Sequence, residues 1–232
     1  MKSTDYRILS IETSTEICSV ALHDSMAILG YCEVHEGMMH SKKLAGLIQE
    51  LLEGENLSTG ELNAVAVSKG PGSYTGLRIG VSMAKGICFA HSIPLIGVDS
   101  LQSMALAAYT RDGTFHQYGA MMDARRMEVY FGLYDQELNP INQVTPLVVE
   151  EGILDQISSD GKLVLFGNGM EKCREMLSVN SGITFMENID VSSREIGVLA
   201  RSKYEKKEFE DLAYFEPFYL KSFVAKPSKK LL

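Results

Sequence analysis

The residues best suited to chemistry form one run, Ser68-Lys69-Gly70-Pro71-Gly72-Ser73-Tyr74-Thr75-Gly76-Leu77-Arg78-Ile79-Gly80. It joins a short apolar stretch to a helical pattern. Glycines permit tight turning, and a helix start presents unpaired N–H groups with positive partial charge, so Gly70, Gly72, Ser73 and Thr75 could hold a phosphate or another anion. The run is not a Walker loop, because no Gly-Lys-Ser/Thr follows. It lacks the third glycine of a dinucleotide fingerprint. A plain strand-to-helix turn capped by Thr75 fits the same residues. A second polar cluster, Ser10-Ile11-Glu12-Thr13-Ser14-Thr15-Glu16, sets the Glu12 carboxylate beside the hydroxyls of Thr13 and Ser14; Asp123 takes the matching place in the second half of the chain.

The rest of the catalytic inventory is thin. His35 and His40 are spaced wrongly for a helical H-x-x-x-H metal pair, and His23, His91 and His116 stand alone. There is no Gly-x-Ser-x-Gly elbow, and no cysteine has an activating neighbour. Cys18, Cys32, Cys88 and Cys173 form no C-x-x-C pair, which fits reduced thiols in a cytoplasmic protein. With 22 Lys and Arg against 30 Asp and Glu the net charge is −8, which disfavours nucleic-acid binding by the chain alone. The exception is a basic tail with Lys221, Lys226, Lys229 and Lys230, read most simply as solvated. No apolar run reaches membrane-spanning length, and the N-terminus lacks a signal-peptide apolar region.

The elements that must position these residues follow from periodicity. Residues 7–13, 17–23 and 26–34 read as strands. Leu44, Leu47, Ile48, Leu51 and Leu52 share one face of a helix over 41–53. A strand at 63–68, a helix at 76–91, a strand at 93–98 and a helix at 99–109 complete the first half. The second half has strands at 118–123, 127–134 and 144–149, a helix at 149–157, a strand at 162–166, a helix at 169–178 and a strand at 183–187. A last helix opens on the capping box Ser192-x-x-Glu195. Each half reads β-β-β-α-β-α-β, which predicts an α/β fold of two lobes, each a mixed sheet with flanking helices: a first lobe over 1–110 and a second over 111–232. This is the architecture of actin-like and ribonuclease-H-like proteins, whose cleft would bring Glu12 and Asp123 to face phosphates, with magnesium held through water. The 76–91 helix carries a small-residue ridge, Gly76, Gly80, Ala84 and Cys88, that wants a close second partner: the 41–53 helix or another subunit.

Four stretches, taken in order, resemble the TsaB (YeaZ) family: residues 8–22, His40-Ser41, Ser68 to Gly80, and Asp123-Ala124-Arg125-Arg126-x-Glu128-Val129-Tyr130. Phe166-Gly167-Asn168-Gly169 and Glu216-Pro217-x-Tyr219-Leu220 fit as well. The resemblance implies a cytoplasmic, glycoprotease-like protein of actin-like fold. It further implies a non-catalytic subunit in the formation of threonylcarbamoyladenosine at position 37 of tRNA. The partners it implies are a TsaD homologue, which transfers the group, and a TsaE-type ATPase, with tRNA reached only through the complex and no membrane. Alone the family forms homodimers through the two helices of the first lobe, so the implied interface is His40, Leu44, Leu47, Gly76, Leu77, Gly80, Ala84, Ile87 and Cys88. No tightly bound cofactor or metal is implied; ATP or ADP would sit at the cleft or at the joint interface with TsaD. The transferase carries Asn-His-x-x-x-His where this chain has Asp99-Ser100-Leu101-Gln102-Ser103-Met104, so the histidine positions fall on Ser100 and Met104. Most relatives carry Asp where this chain has Glu12. A stand-alone actin-like ATPase or kinase is the alternative, and a metallopeptidase fits poorly without the histidine pair.

Overall fold

The computed structural model describes residues 6–35, 39–150, 162–177 and 182–220. Two five-stranded mixed sheets lie side by side. The first comprises β1 (Ile8–Glu12), β2 (Cys18–His23), β3 (Ile28–Val34), β4 (Ala64–Gly70) and β5 (Leu95–Asp99) in the order β3-β2-β1-β4-β5. β1 pairs antiparallel with β2 and parallel with β4. The second comprises β6 (Gln117–Asp123), β7 (Glu128–Tyr134), β8 (Thr145–Val148), β9 (Leu163–Phe166) and β10 (Ile183–Met186) in the order β10-β9-β6-β7-β8, the same topology.

Alternation along the first sheet sorts its side chains onto two faces. Leu9, Ile11, Val20, Val65 and Val67 point to one, where α1 (His40–Gly54) and α2 (Tyr74–His91) close the core. The periodic leucines of α1 are all buried there, as their spacing requires. Ile8, Ala64, Ala66, Ile96 and Val98 point to the other face. That face is covered by Ile196 and Ala200 of α5 (Ser193–Glu205), which opens on Ser192 with its hydroxyl accepting from Arg194 N. The helix that sequence order assigns to the second lobe therefore packs on the first. Conversely, α3 (Ser100–Arg111) buries Leu101, Met104, Ala105 and Ala108 against Tyr118, Ala120, Met122, Val164 and Phe166 of the second sheet. Each sheet has two apolar faces, and the helix following its own strands supplies only part of the cover.

One expected helix comes out differently. The 169–178 helix is a 3-10 turn (Glu171–Cys173) running into the single turn α4 (Arg174–Leu177). Most of the expected 149–157 helix lies outside the described residues, as does the basic tail with Lys221, Lys226, Lys229 and Lys230. After α5, residues 206–220 run back as a strap over the first lobe. Glu210 N donates to Leu95 O (2.9 Å), Phe218 N donates to Lys69 O (2.6 Å), and Lys85 Nζ donates to the carbonyls of Ala213 (3.2 Å) and Phe215 (3.0 Å). The strap shields the β5 edge, whose backbone groups would otherwise be open to pairing. No described helix is long and apolar enough to cross a membrane.

Candidate functional site

The glycine-rich run leads from the end of β4 into α2, and the β1–β2 turn packs against it. Ser73, not Thr75, caps α2: its hydroxyl accepts from Gly76 N (3.2 Å), while its own N–H donates to Ser14 O (2.7 Å). That second bond pins the loop to the turn and starts the helix two residues earlier than the sequence reading placed it. Thr75 is exposed. The glycines serve close packing. A Cβ on Gly72 would sit 2.5 Å from Ser14 O. On Gly76 or Gly80 it would overlap Thr13 outright, and Thr13 Oγ1 donates to Gly76 O (2.9 Å). Gly70, at φ 109°, lies under the strap, where a Cβ would meet Phe218 O at 2.7 Å.

Glu12 is fully buried. Its Oε1 accepts from Ser14 N (2.5 Å) and from Ser68 Oγ (3.0 Å), tying β1, the turn and β4 together; its Oε2 has no partner among the described residues. Burial pushes its carboxyl above the usual range, opposed by the bonds from Ser14 and Ser68. Cys18, beside it, is pushed up to about 11 by burial and by the Glu12 charge, so its thiol is inert at neutral pH. Thr13 and Ser14 are also buried. Asp123 is half exposed but occupied: Lys172 Nζ pairs with its Oδ1, which also accepts from Arg125 N (3.0 Å). Neither carboxylate is therefore free for a magnesium ion: Glu12 is buried and Asp123 is paired with Lys172. Glu12 offers no exposed oxygen and ties β1, the turn and β4 together, while Gly72, Gly76 and Gly80 pack tightly against Ser14 and Thr13 and leave Ser73 and Thr75 exposed at the start of α2.

The expected interface residues fare similarly. Gly76, Leu77, Gly80, Ala84 and Cys88 are buried within the chain, so the ridge finds its close partner in Thr13 and the first sheet rather than in a second subunit. Leu44 and Leu47 are in the same core, and His40 is buried at the start of α1 with Nε2 3.3 Å from Ile17 O. Only Ile87 of the set is partly exposed. The open positions on these helices are others. Ala45 and Gly46 on α1 and Ser82 and Gly86 on α2 are exposed, a Cβ on Gly46 or Gly86 would meet nothing, and Phe89 is 80% exposed. Glycine inside an exposed helix was legible as a signal; which glycines were already covered was not.

Ser100 and Met104 are fully buried on α3, Met104 in an apolar cluster. Among the described residues no group of three or more His, Cys, Asp or Glu is placed to hold a metal ion. A cavity of about 790 Å³ that the sequence did not reveal lies between the strap and the β7–β8 connection, lined by Lys69, Asp99, Tyr134, Asn142 and Tyr214 among others. Asp99 caps α3, accepting from Leu101 N (2.9 Å) and Gln102 N (3.0 Å), and accepts from Tyr134 Oη (3.3 Å) across the lobes. Burial raises the pKa of both groups.

A family model described as TsaD, tRNA N6-adenosine threonylcarbamoyltransferase, matches residues 37–226. The tRNA threonylcarbamoyladenosine biosynthesis protein TsaB of Escherichia coli is 30% identical over 94% of this chain and 96% of its own length. This chain belongs to the TsaB (YeaZ) family. TsaB of Bacillus subtilis is 34% identical over 60% of this chain and 59% of its own length. YeaZ from Pseudomonas aeruginosa has a solved structure that superposes with a TM-score of 0.81 at 26% identity, covering 93% of this chain and all of that one. The two-lobe actin-like architecture expected from the element order is that of the YeaZ fold.

Proposed function

We propose that this chain takes part in threonylcarbamoyladenosine biosynthesis on tRNA as a non-catalytic subunit, binding and supporting a TsaD-type transferase, with a TsaE-type ATPase as third component. Its TsaB relatives are named for that biosynthesis, and the transferase family model spans most of the chain. The observation that carries the subunit role is the pair Ser100 and Met104. They stand where the resemblance puts the transferase's two histidines, and both are buried without a ligating cluster around them. The internally bonded Glu12 supports the same reading, since the chemistry then belongs to the partner's cleft.

The face offered to that partner, or to a second copy when the chain is alone, is the outer surface of α1 and α2. Glycine inside a helix costs about 1 kcal/mol relative to alanine. Gly46 and Gly86 bear that cost with open space above them, and the Phe89 ring one turn on from Gly86 is exposed, features that suit close helix approach. The test is reconstitution with the TsaD and TsaE homologues of the same host. The chain should co-elute with the TsaD homologue near one to one, and omitting it should abolish modification of a tRNA transcript. Full modification without it, or intrinsic ATP turnover by the chain alone that is lost in Glu12→Ala, would overturn the reading.

A further inference from the structure

The β6–β7 hairpin ends in Arg125 and Arg126, both at positive φ (70° and 53°), a conformation that glycine and asparagine adopt far more readily than arginine. The base below this tip is fixed. Asp123 N donates to Asn168 Oδ1 (2.9 Å) and Gly169 N donates to Met121 O (2.9 Å). Lys172 Nζ reaches Glu128 O (2.7 Å) as well as Asp123. Gly169 lies flat against the hairpin, since a Cβ there would meet Met122 C at 2.8 Å. The charge of Asp123 is answered by Lys172, so it does not neutralise the tip. Both arginine side chains are exposed, and among the described residues neither guanidinium makes a hydrogen bond or ion pair. Four of the other six described arginines do: Arg78 with Tyr74 Oη, Arg111 with two carbonyls, Arg174 with Glu171 and Glu187, and Arg194 with Ser192 Oγ.

In a chain of net charge −8, two adjacent unpaired guanidinium groups held out on a costly backbone need a reason. We infer that the Arg125–Arg126 tip grips the phosphate backbone of RNA, the tRNA of the proposed function, on which this inference rests. The guanidinium fork matches phosphate oxygens in a way a lysine does not, and a fixed hairpin base removes much of the ordering cost. The overall negative charge then serves selectivity: the tip adds a local contact to a tRNA held mainly by the assembly, and does not make the chain a general nucleic-acid binder.

The test is the double substitution Arg125→Asn/Arg126→Gly. Both replacements tolerate positive φ, so the variant should fold and melt at the same temperature or a few degrees higher. Labelled unmodified tRNA transcript is titrated with the chain alone at low salt, and with the chain plus the TsaD homologue at roughly 50 to 200 mM salt. The expected result is a loss of affinity of about tenfold at the low-salt end, and a slope of log K against log salt smaller by about 1 to 2. Equal affinity and slope for variant and wild type in both arms overturns the inference, as does absence of tRNA binding by the wild type in both. A variant that loses the TsaD homologue on size exclusion but binds tRNA as before makes the tip a protein contact and also overturns it. Failure of the functional reading shows separately, as full tRNA modification in a mixture that lacks the wild-type chain.

Discussion

Glu12 occupies the end of β1, where an actin-like cleft could use a carboxylate on a metal, yet both its oxygens are inside the protein. One holds the turn and β4; the other is unpartnered, and its burial raises the pKa. The sign follows: a carboxyl with a raised folded pKa is protonated more readily when folded, so its contribution to stability grows as pH falls through that value. Glu12→Gln, which removes the buried charge and keeps an acceptor, is expected to leave stability at pH 7 unchanged or higher and tRNA modification intact. Urea denaturation with the modification assay checks both; lost modification in a stably folded variant would return Glu12 to the chemistry. His23 behaves in the opposite sense. Buried beneath α5, it donates from Nε2 to Arg194 O (3.1 Å), with Ser10 Oγ 3.4 Å from Nδ1, and Gly197 leaves it room. Burial depresses its pKa from 6.5 to about 4. The unfolded chain therefore takes up a proton first, and stability present above pH 6.5 is lost as pH falls toward 4, in all about 3 kcal/mol. Unfolding midpoints at pH 7 and 4.5 should differ more for the wild type than for His23→Gln; equal differences would mean the ring is not held neutral. Glu12 was legible as a polar residue at a turn. Its burial was not, because β4 and α2, which enclose it, come more than fifty residues later.

The α2 helix shows what periodicity tells and what it omits. The ridge Gly76, Gly80, Ala84, Cys88 correctly signalled close approach, because small residues at i, i+4 spacing leave a groove. What fills the groove is a turn some sixty residues upstream, and nothing in the helix itself names it. Two glycines six residues apart should therefore respond in opposite ways. Gly80→Arg must displace Thr13 and break its bond to Gly76 O, so a loss of stability of several kcal/mol, or failure to fold, is expected. Gly86→Arg meets open space and should fold with equal or slightly higher stability, yet weaken co-elution with the TsaD homologue by an order of magnitude or more. Thermal melts paired with size exclusion separate the two effects. Normal complex formation by Gly86→Arg would move the docking face off this part of α2. The same limit explains the cap. Ser73 and Thr75 are both good N-cap residues, and the choice between them was made by the backbone bond to Ser14.

The lobes were legible from the repeated order of strands and helices; the chain leaves the first sheet at Asp99 and enters the second at Gln117, with α3 between them. The sheets' outer cover was not, since helices α3 and α5 are exchanged: α3 closes the second sheet and α5 the first. A sequence reports which face of a helix is apolar, whereas its docking partner depends on which sheet still has an uncovered face. The exchange links the lobes, reinforced by the Asp99–Tyr134 bond and by the strap bonded to β5 and Lys85. A fragment ending at residue 110 would keep all five strands of its sheet, yet Ile8, Ala64, Ala66, Ile96 and Val98 would lose Ile196 and Ala200 from above them. The large apolar patch so exposed is expected to make the fragment bind a hydrophobic dye and aggregate. Appending residues 190–220 through a flexible linker should restore a cooperative melt, because α5 and the strap are the missing cover. Cooperative unfolding of the bare fragment without dye binding would show instead that the first sheet stands with one face open, and that α5 serves the second lobe's position rather than the first lobe's stability.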